Sequence, residues 1–283
     1  MATATGDPNG YDAARDMLAD ETVMASRRAG AGARFRSFGR RFLDVMLPPL
    51  CLACEIRILG HDALCPSCWR RIDFIRQPLC DRLGLPPPNG SVPDECGDAQ
   101  PLVSALAIAD PPVYERARAV ARFEGLMRDL VHDLKYQDNP NCRRLFGRWL
   151  GDAGRDVLAG ADAIVPVPLG RFRLVARRFN QAQILAHAVS HQCNVPVWTF
   201  ALRRSRATAR QVGLSREQRR RNVAGAFTVP TRAAHRLTGR NIVLIDDVIT
   251  TGATVSAAAK ALKRAGANRV DVLCLALVCD PHG

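Results

Sequence analysis

The chain has 283 residues, 47% of them hydrophobic, and a formal net charge of +13. This length suits one sizeable core plus a smaller appendage, and no apolar run is long enough to span a membrane. The first 46 residues lack the continuous apolar stretch of an export signal, although arginines cluster from Arg27 to Arg41, so a cytoplasmic location is expected.

Taken in chain order, residues 1–34 mix Gly, Ala, Asp and Arg without periodicity and read as a disordered tail. In "FRSFGRRFLDVM", Phe35, Phe38, Phe42 and Val45 recur at three- and four-residue steps. That spacing predicts an amphipathic helix, stopped by Pro48 and Pro49, which packs on its own protein in preference to a membrane surface. The helix opens a segment, 35–82, that is dominated by cysteines. Residues 83–101, rich in Pro and Gly, read as a linker, and residues 102–283 as the main domain.

In the main domain, "RARAVARFEG" (116–125) predicts a strand. "LMRDLVHDLKYQ" and "CRRLFGRWLGDAGRDVL" predict helices. From residue 161 strands and helices alternate. "ADAIVPVPL" is a strand, "NQAQILAHAVSHQ" a helix, "VPVWTF" a strand, and "NVAGAFTV" an antiparallel strand. "NIVLIDDV" is a strand, "GATVSAAAKALKRAG" a helix and "RVDVLCLALV" a strand. Such alternation predicts an α/β fold with a mostly parallel sheet flanked by helices.

Six of the ten cysteines fall between Cys51 and Cys96. "CLACEIRILGHDALCPSC" sets Cys51 and Cys54 ten residues before Cys65 and Cys68, two C-x2-C knuckles that match a closed structural zinc site. A redox role for either pair is the alternative, without the strand–helix context that redox motifs have. Cys80 and Cys96 have no obvious partners, and His61 and His132 are expected not to be ligands.

The charge is uneven. From Arg203 to Arg240 there are eleven arginines, no lysine and one acid, Glu217. The stretch reads as a surface for phosphate, nucleic acid or acidic lipid, against the alternative of a solvated mobile loop. No aromatic residue lies between Phe200 and Phe227, so base stacking within the stretch is not supported.

The most specific stretch is "VLIDDVITTGATV" (243–255). With Ile242 before it, a run of four apolar residues (Ile242 to Ile245) marks a buried parallel strand, and Asp246 and Asp247 follow at the end where open α/β sheets bind ligands. Thr250, Thr251, Gly252, Ala253 and Thr254 then lead into a helix, which makes a hydroxyl-rich turn at a helix N-terminus suited to a phosphate monoester. Two carboxylates beside a phosphate repel it unless a sugar intervenes, and ribose hydroxyls donate to carboxylates. The pattern spells a ribose 5-phosphate cradle. A Walker A loop and a dinucleotide fingerprint are both absent, and an ordinary N-cap with two exposed aspartates is the bland alternative.

"VLIDDVITTGAT" resembles the phosphoribosyl pyrophosphate (PRPP) motif of type I phosphoribosyltransferases. The resemblance implies that Asp246 and Asp247 contact the ribose and that Thr250 to Thr254 hold its 5-phosphate, with Mg accompanying PRPP. "LKY" (134–136), "VPVPL" (165–169), "RRFNQA" (177–182), Gln211 with "LS" after it, and "RRNVAGAF" (220–227) recur in this order in the ComF family. That family joins an N-terminal cysteine ribbon to a type I phosphoribosyltransferase-like domain, and some members are tied to DNA uptake in natural transformation.

The resemblance makes Arg171, Arg173, Arg177 and Asn180 candidates for contact with pyrophosphate. Surface solvation is the competing reading for the arginines. Arg203, Arg210 and Gln211 map onto the family's mobile loop. Two departures stand out: Arg178 replaces a glycine of the family's Arg-Gly-Phe-Asn-Gln run, and Leu83 replaces the second cysteine of a further knuckle that begins at Cys80. The implied activity is transfer of a phosphoribosyl group from PRPP. The rival readings are a binding module that engages single-stranded DNA or DNA-uptake proteins, and a zinc-dependent interaction protein with no PRPP site. No residue declares itself as an acceptor's base, and the oligomeric state is not legible.

Overall fold

The computed structural model describes residues 48–87, 102–136, 140–170, 179–206 and 215–279. The expected helix at 35–46 lies outside them. At the centre is a parallel four-stranded sheet. It consists of β1 (Ala117–Arg122), β2 (Ala163–Pro166), β5 (Asn241–Ile249) and β6 (Arg269–Leu277), in the order β1-β6-β5-β2. Every pairing is parallel, as expected from the alternation of strands and helices.

Parallel sheets are covered on both faces, and the register shows how. Along β5, Val243 and Ile245 enter one apolar cluster while Ile242 and Leu244 enter the other. Along β6, Leu273 and Leu275 face the first cluster, and Val270, Val272 and Cys274 the second.

The first face is covered by α3 (Gly125–Tyr136), α4 (Pro140–Ala153) and α6 (Gln181–Cys193). The second is covered by α9 (Ala253–Arg264), whose Val255, Ala258, Ala259 and Leu262 form one buried stripe, and by Leu237 of α8 (Thr231–Leu237). Gly147 of α4 lets that helix lie directly on α6. A Cβ there would be 2.9 Å from both the Cβ and the carbonyl oxygen of Ala188.

Three expectations change. The α4 segment breaks after Ala153, with a short α5 (Arg155–Leu158) following. "VPVWTF" contributes one bridge, Ile164 to Val197, with Ile164 N–H donating to Pro196 O and Trp198 N–H to Ile164 O, both at 2.9 Å. It lies beside β2 as an isolated parallel bridge and not as a strand. In "NVAGAFTV" only Phe227–Thr228 (β4) is extended, pairing antiparallel with Arg203–Arg204 (β3). Asn222 and Val223 instead end a helix, α7 (Arg216–Val223). The basic stretch, which the family resemblance maps in part onto a mobile loop, thus contains an eight-residue helix. Its signal is present in "SREQ": Ser215 accepts from Gln218 N–H, and Gln218 accepts from Ser215 N–H, which is a capping box.

The cysteine segment is built into this core. Its helix α1 (Pro66–Arg70) is capped by Cys65. Residues after it run antiparallel to β1, with Ile75 N–H donating to Val120 O at 3.0 Å and Arg122 N–H to Asp73 O at 2.9 Å, which covers the sheet edge. Trp69 and Phe74 pack edge-on against Trp149 of α4. Asp62 accepts from Arg144 through its carboxylate at 3.4 Å and from Arg148 through its carbonyl. Arg118 of β1 is buried and ties Asp81 to Asp156 of α5.

Among the described residues no helix is long and apolar enough to cross a membrane.

Candidate functional site

The sheet's carboxyl edge is open beside β5. The β2 ladder ends at Pro166, opposite Ile245, and Val167 N–H makes a last bond to Ile245 O at 2.9 Å. Among the described residues, β5 has a ladder partner on one side only from Asp246 onward, β6, with Asp246 opposite Cys274 and Val248 opposite Ala276.

Burial changes at the same point. Ile242 to Ile245 are buried, and Asp246, Asp247 and Val248 are half-buried. Simple alternation would send the two acids to opposite faces. Each carboxylate instead leans forward along the strand, Asp246 Oδ1 accepting from Asp247 N–H and Asp247 Oδ1 from Val248 N–H, both at 2.9 Å. The strand runs to Ile249, one residue beyond the expected "NIVLIDDV". Beneath the pair, the thiol of Cys274 is driven well above its ordinary pKa, first by complete burial and then by the charge of Asp246.

Thr250, Thr251 and Gly252 make the turn, and α9 starts at Ala253. Gly252 occupies the N-cap at φ +72, a left-handed conformation that favours glycine. Ser256 N–H donates back to its carbonyl at 2.9 Å, and no side chain caps the helix. Acids, hydroxyl turn and the positive end of the α9 dipole therefore share one edge, as expected.

The loop Val167–Gly170 leaves β2 at the same edge. Asn180, a pyrophosphate candidate, caps α6 by accepting from Ala182 N–H (3.2 Å) and donates to Val167 O (3.1 Å), so its amide holds this loop in place. Of the two arginines of β3, Arg203 is exposed while Arg204 turns inward. Its guanidinium lies over the ring of Phe227, 5.3 Å from the centroid, and a Cβ on Gly170 would be 3.9 Å from its Nε. Arg204 is a candidate the sequence did not single out; in-or-out alternation on a two-residue strand was its only signal. Arg171, Arg173, Arg177, Arg210 and Gln211 lie outside the described residues.

The four cysteines converge. The sulfurs of Cys51, Cys54, Cys65 and Cys68 all lie within 4.8 Å of one another, with Cys54 and Cys65 at 3.6 Å. Thiolates around tetrahedral zinc at about 2.3 Å lie about 3.8 Å apart, so the set fits that ion. Three of the four are buried, and His61 and His132 are not part of the cluster.

Hydrogen bonding splits the thiols. The Ser67 hydroxyl, then the Cys68 amide, lower Cys65 to about 6, whereas burial and the neighbouring sulfurs push Cys68 up to about 12. Cys51 is lowered, with the amides of Cys65, Ala53 and Cys54 outweighing burial. Cys54 is raised, the lowering contact from the Ile56 amide being outweighed by desolvation and by hydrogen bonds with Cys51 and Cys65.

The turn at Cys80 repeats the Cys51 knuckle. In the first, Cys51 N–H donates to Ile56 O and Glu55 N–H to Cys51 O, with Glu55 at φ +58. In the second, Cys80 N–H donates to Leu85 O and Gly84 N–H to Cys80 O, with Gly84 at φ +68. Leu83 stands where Cys54 stands in the first turn. The Cys80 sulfur accepts from Ser104 N–H and Oγ at 3.3 and 3.2 Å, and Cys96 lies outside the described residues.

Two family models match the chain in this arrangement: a double zinc ribbon domain over residues 42–99 and a phosphoribosyl transferase domain over residues 135–282. The DNA utilization protein YhgH of Escherichia coli K12 is 35% identical over 81% of this chain and 97% of its own length. The chain belongs to the ComF family. Competence protein F of Haemophilus influenzae is 28% identical, covering 80% of this chain and 96% of that one. Competence protein ComFC of Bacillus subtilis is 26% identical over 72% of this chain and 80% of its own. This ComF-family chain combines a zinc ribbon with a phosphoribosyltransferase-fold domain, and its four clustered cysteines support a structural zinc site.

Proposed function

We propose that this ComF-family protein binds a 5-phosphoribosyl ligand, PRPP with Mg, at the open carboxyl edge of its sheet. The forward lean of Asp246 and Asp247 toward a hydroxyl turn that starts a helix is the observation that supports this most directly. Asp246 and Asp247 take the ribose hydroxyls, and Thr250 to Thr254 take the 5-phosphate through backbone amides and hydroxyls. The loop held by Asn180, together with Arg204, takes the pyrophosphate. Mg, a hard ion that prefers oxygen ligands, would be held at the carboxylate side and offset charge on the pyrophosphate.

In a transfer reaction the bond between C1 of the ribose and pyrophosphate breaks, and a bond from C1 to an acceptor nucleophile forms. Arg204 and the loop arginines would stabilise the leaving charge.

A second reading has its own support. Arg203, Arg206, Arg220 and Arg221 are exposed around β3 and α7, and relatives carry the names DNA utilization protein and competence protein. In that reading the cradle senses PRPP while the arginines hold the backbone of single-stranded DNA.

Calorimetric titration with Mg and PRPP separates these. Binding is expected in the wild type and a loss of at least tenfold in the double variant Asp246→Asn, Asp247→Asn, because two charge-assisted contacts are removed. Unchanged affinity in the double variant would sink the ribose assignment. Binding without turnover, joined to DNA affinity that falls steeply with salt, selects the second reading.

A further inference from the structure

The segment Ser104–Glu115, which begins with the short helix α2 (Ala105–Ala109), forms a strap between the Cys80 knuckle and the phosphate turn. Its first end is Ser104, on the sulfur of Cys80. Near its other end Arg82, from the same knuckle, donates to the carbonyls of Pro112 at 3.0 Å and Tyr114 at 3.2 Å. Glu115 is fixed by Val270, whose N–H donates to its carboxylate at 2.8 Å, and by Lys263 of α9. Asp110 pairs with Arg220 of α7.

Between these anchors Tyr114 is 4% exposed and belongs to the apolar cluster with Val255 and Ala258 of α9. Its hydroxyl lies 3.7 Å from the position a Cβ would take on Gly252.

We propose that Tyr114 is a positioning residue for the phosphate turn: its hydroxyl braces Gly252 from the protein side, and the Cys80 knuckle anchors the strap that carries it. The inference rests on the phosphoribosyl reading above. Gly252 is the most deformable point of the turn, having no Cβ and a positive φ. A buried phenol keeps its hydroxyl beside polar groups, and this one faces the side of Gly252 that a Cβ would occupy. A rigid ring with a polar tip at that point favours the turn conformation that presents amides to an anion, and a turn set before binding costs less to order. Tyr114 acts through the loop and touches no reacting atom.

The experiment uses the full-length zinc-loaded protein and two probes, ribose 5-phosphate and pyrophosphate, titrated calorimetrically. In Tyr114→Phe, which keeps the ring, ribose 5-phosphate affinity is expected to fall about fivefold, with pyrophosphate affinity and the unfolding midpoint unchanged. Arg82→Met is expected to shift ribose 5-phosphate affinity in the same direction by less. Unchanged ribose 5-phosphate binding in Tyr114→Phe overturns the positioning role, and so does an equal loss of both ligands or a lowered midpoint. Unchanged binding in Arg82→Met removes the knuckle's part. A wild type that binds ribose 5-phosphate in no measurable way fails the phosphoribosyl reading itself, and the positioning role with it.

Discussion

At the residue scale, the ribbon cysteines show how one repeated motif yields unlike thiols. Cys65 sits at a helix N-terminus with a hydroxyl beside it, and Cys68 sits in the core among other sulfurs, so the first is a thiolate at neutral pH and the second a thiol. Zinc takes thiolates, so each protonated cysteine must release its proton on binding. In metal-free protein at neutral pH, zinc uptake is expected to release fewer than four protons, because Cys65 has already lost its own. Release rises as pH falls through about 6, where Cys65 becomes protonated. Calorimetry in buffers of different ionisation enthalpy reads the count. Ser67→Ala removes the main cause of the lowered Cys65 value and should raise proton release at neutral pH. The same count on both sides of pH 6 contradicts this account.

At the element scale, the close approach of α4 and α6 is the contact that links ribbon and site. α4 carries Arg144, Arg148 and Trp149 toward the ribbon, and α6 carries Asn180 to the loop after β2. Gly147→Ala sets two effects against each other. Helix propensity favours alanine by about 1 kcal/mol. The added Cβ meets the Ala188 carbonyl and Cβ at 2.9 Å, and backbone does not yield as a side chain does. Overpacking of this kind costs about 1–3 kcal/mol. The collision wins, so the urea midpoint of Gly147→Ala should fall; a rise would show that the helices separate at little cost.

At the scale of the whole molecule, ribbon and sheet share one apolar cluster that includes Cys51, Cys65 and Cys68 together with Leu130, Phe146 and Leu275. The zinc site is thus inside the core's boundary, and metal loss is expected to loosen the larger domain as well. Two of the three tryptophans, Trp69 and Trp149, meet at that junction with centroids 5.6 Å apart. Chelation of zinc should therefore change tryptophan emission and lower the thermal midpoint of the entire protein. An unchanged emission spectrum with an unchanged midpoint would mean that the ribbon folds apart from the sheet.

Local pattern carried much of this into view. The apolar run before Asp246, the hydroxyls and glycine after it, and the C-x2-C spacings each act over a few residues, and strand, turn, helix and knuckle all form where those signals stand. The capping box of α7 was equally local. What sequence periodicity does not encode is which neighbour ends where. β5 is open at Asp246 because β2 stops at Pro166, and that depends on pairing between residues about eighty positions apart. The inward turn of Arg204, the nearness of the Tyr114 hydroxyl to the Cβ position of Gly252, and the bonds from the second knuckle to Ser104 and Tyr114 are likewise long-range packing outcomes. Short-range propensity sets each element, but only tertiary packing sets which elements meet, since contact free energy depends on distance in space and not along the chain.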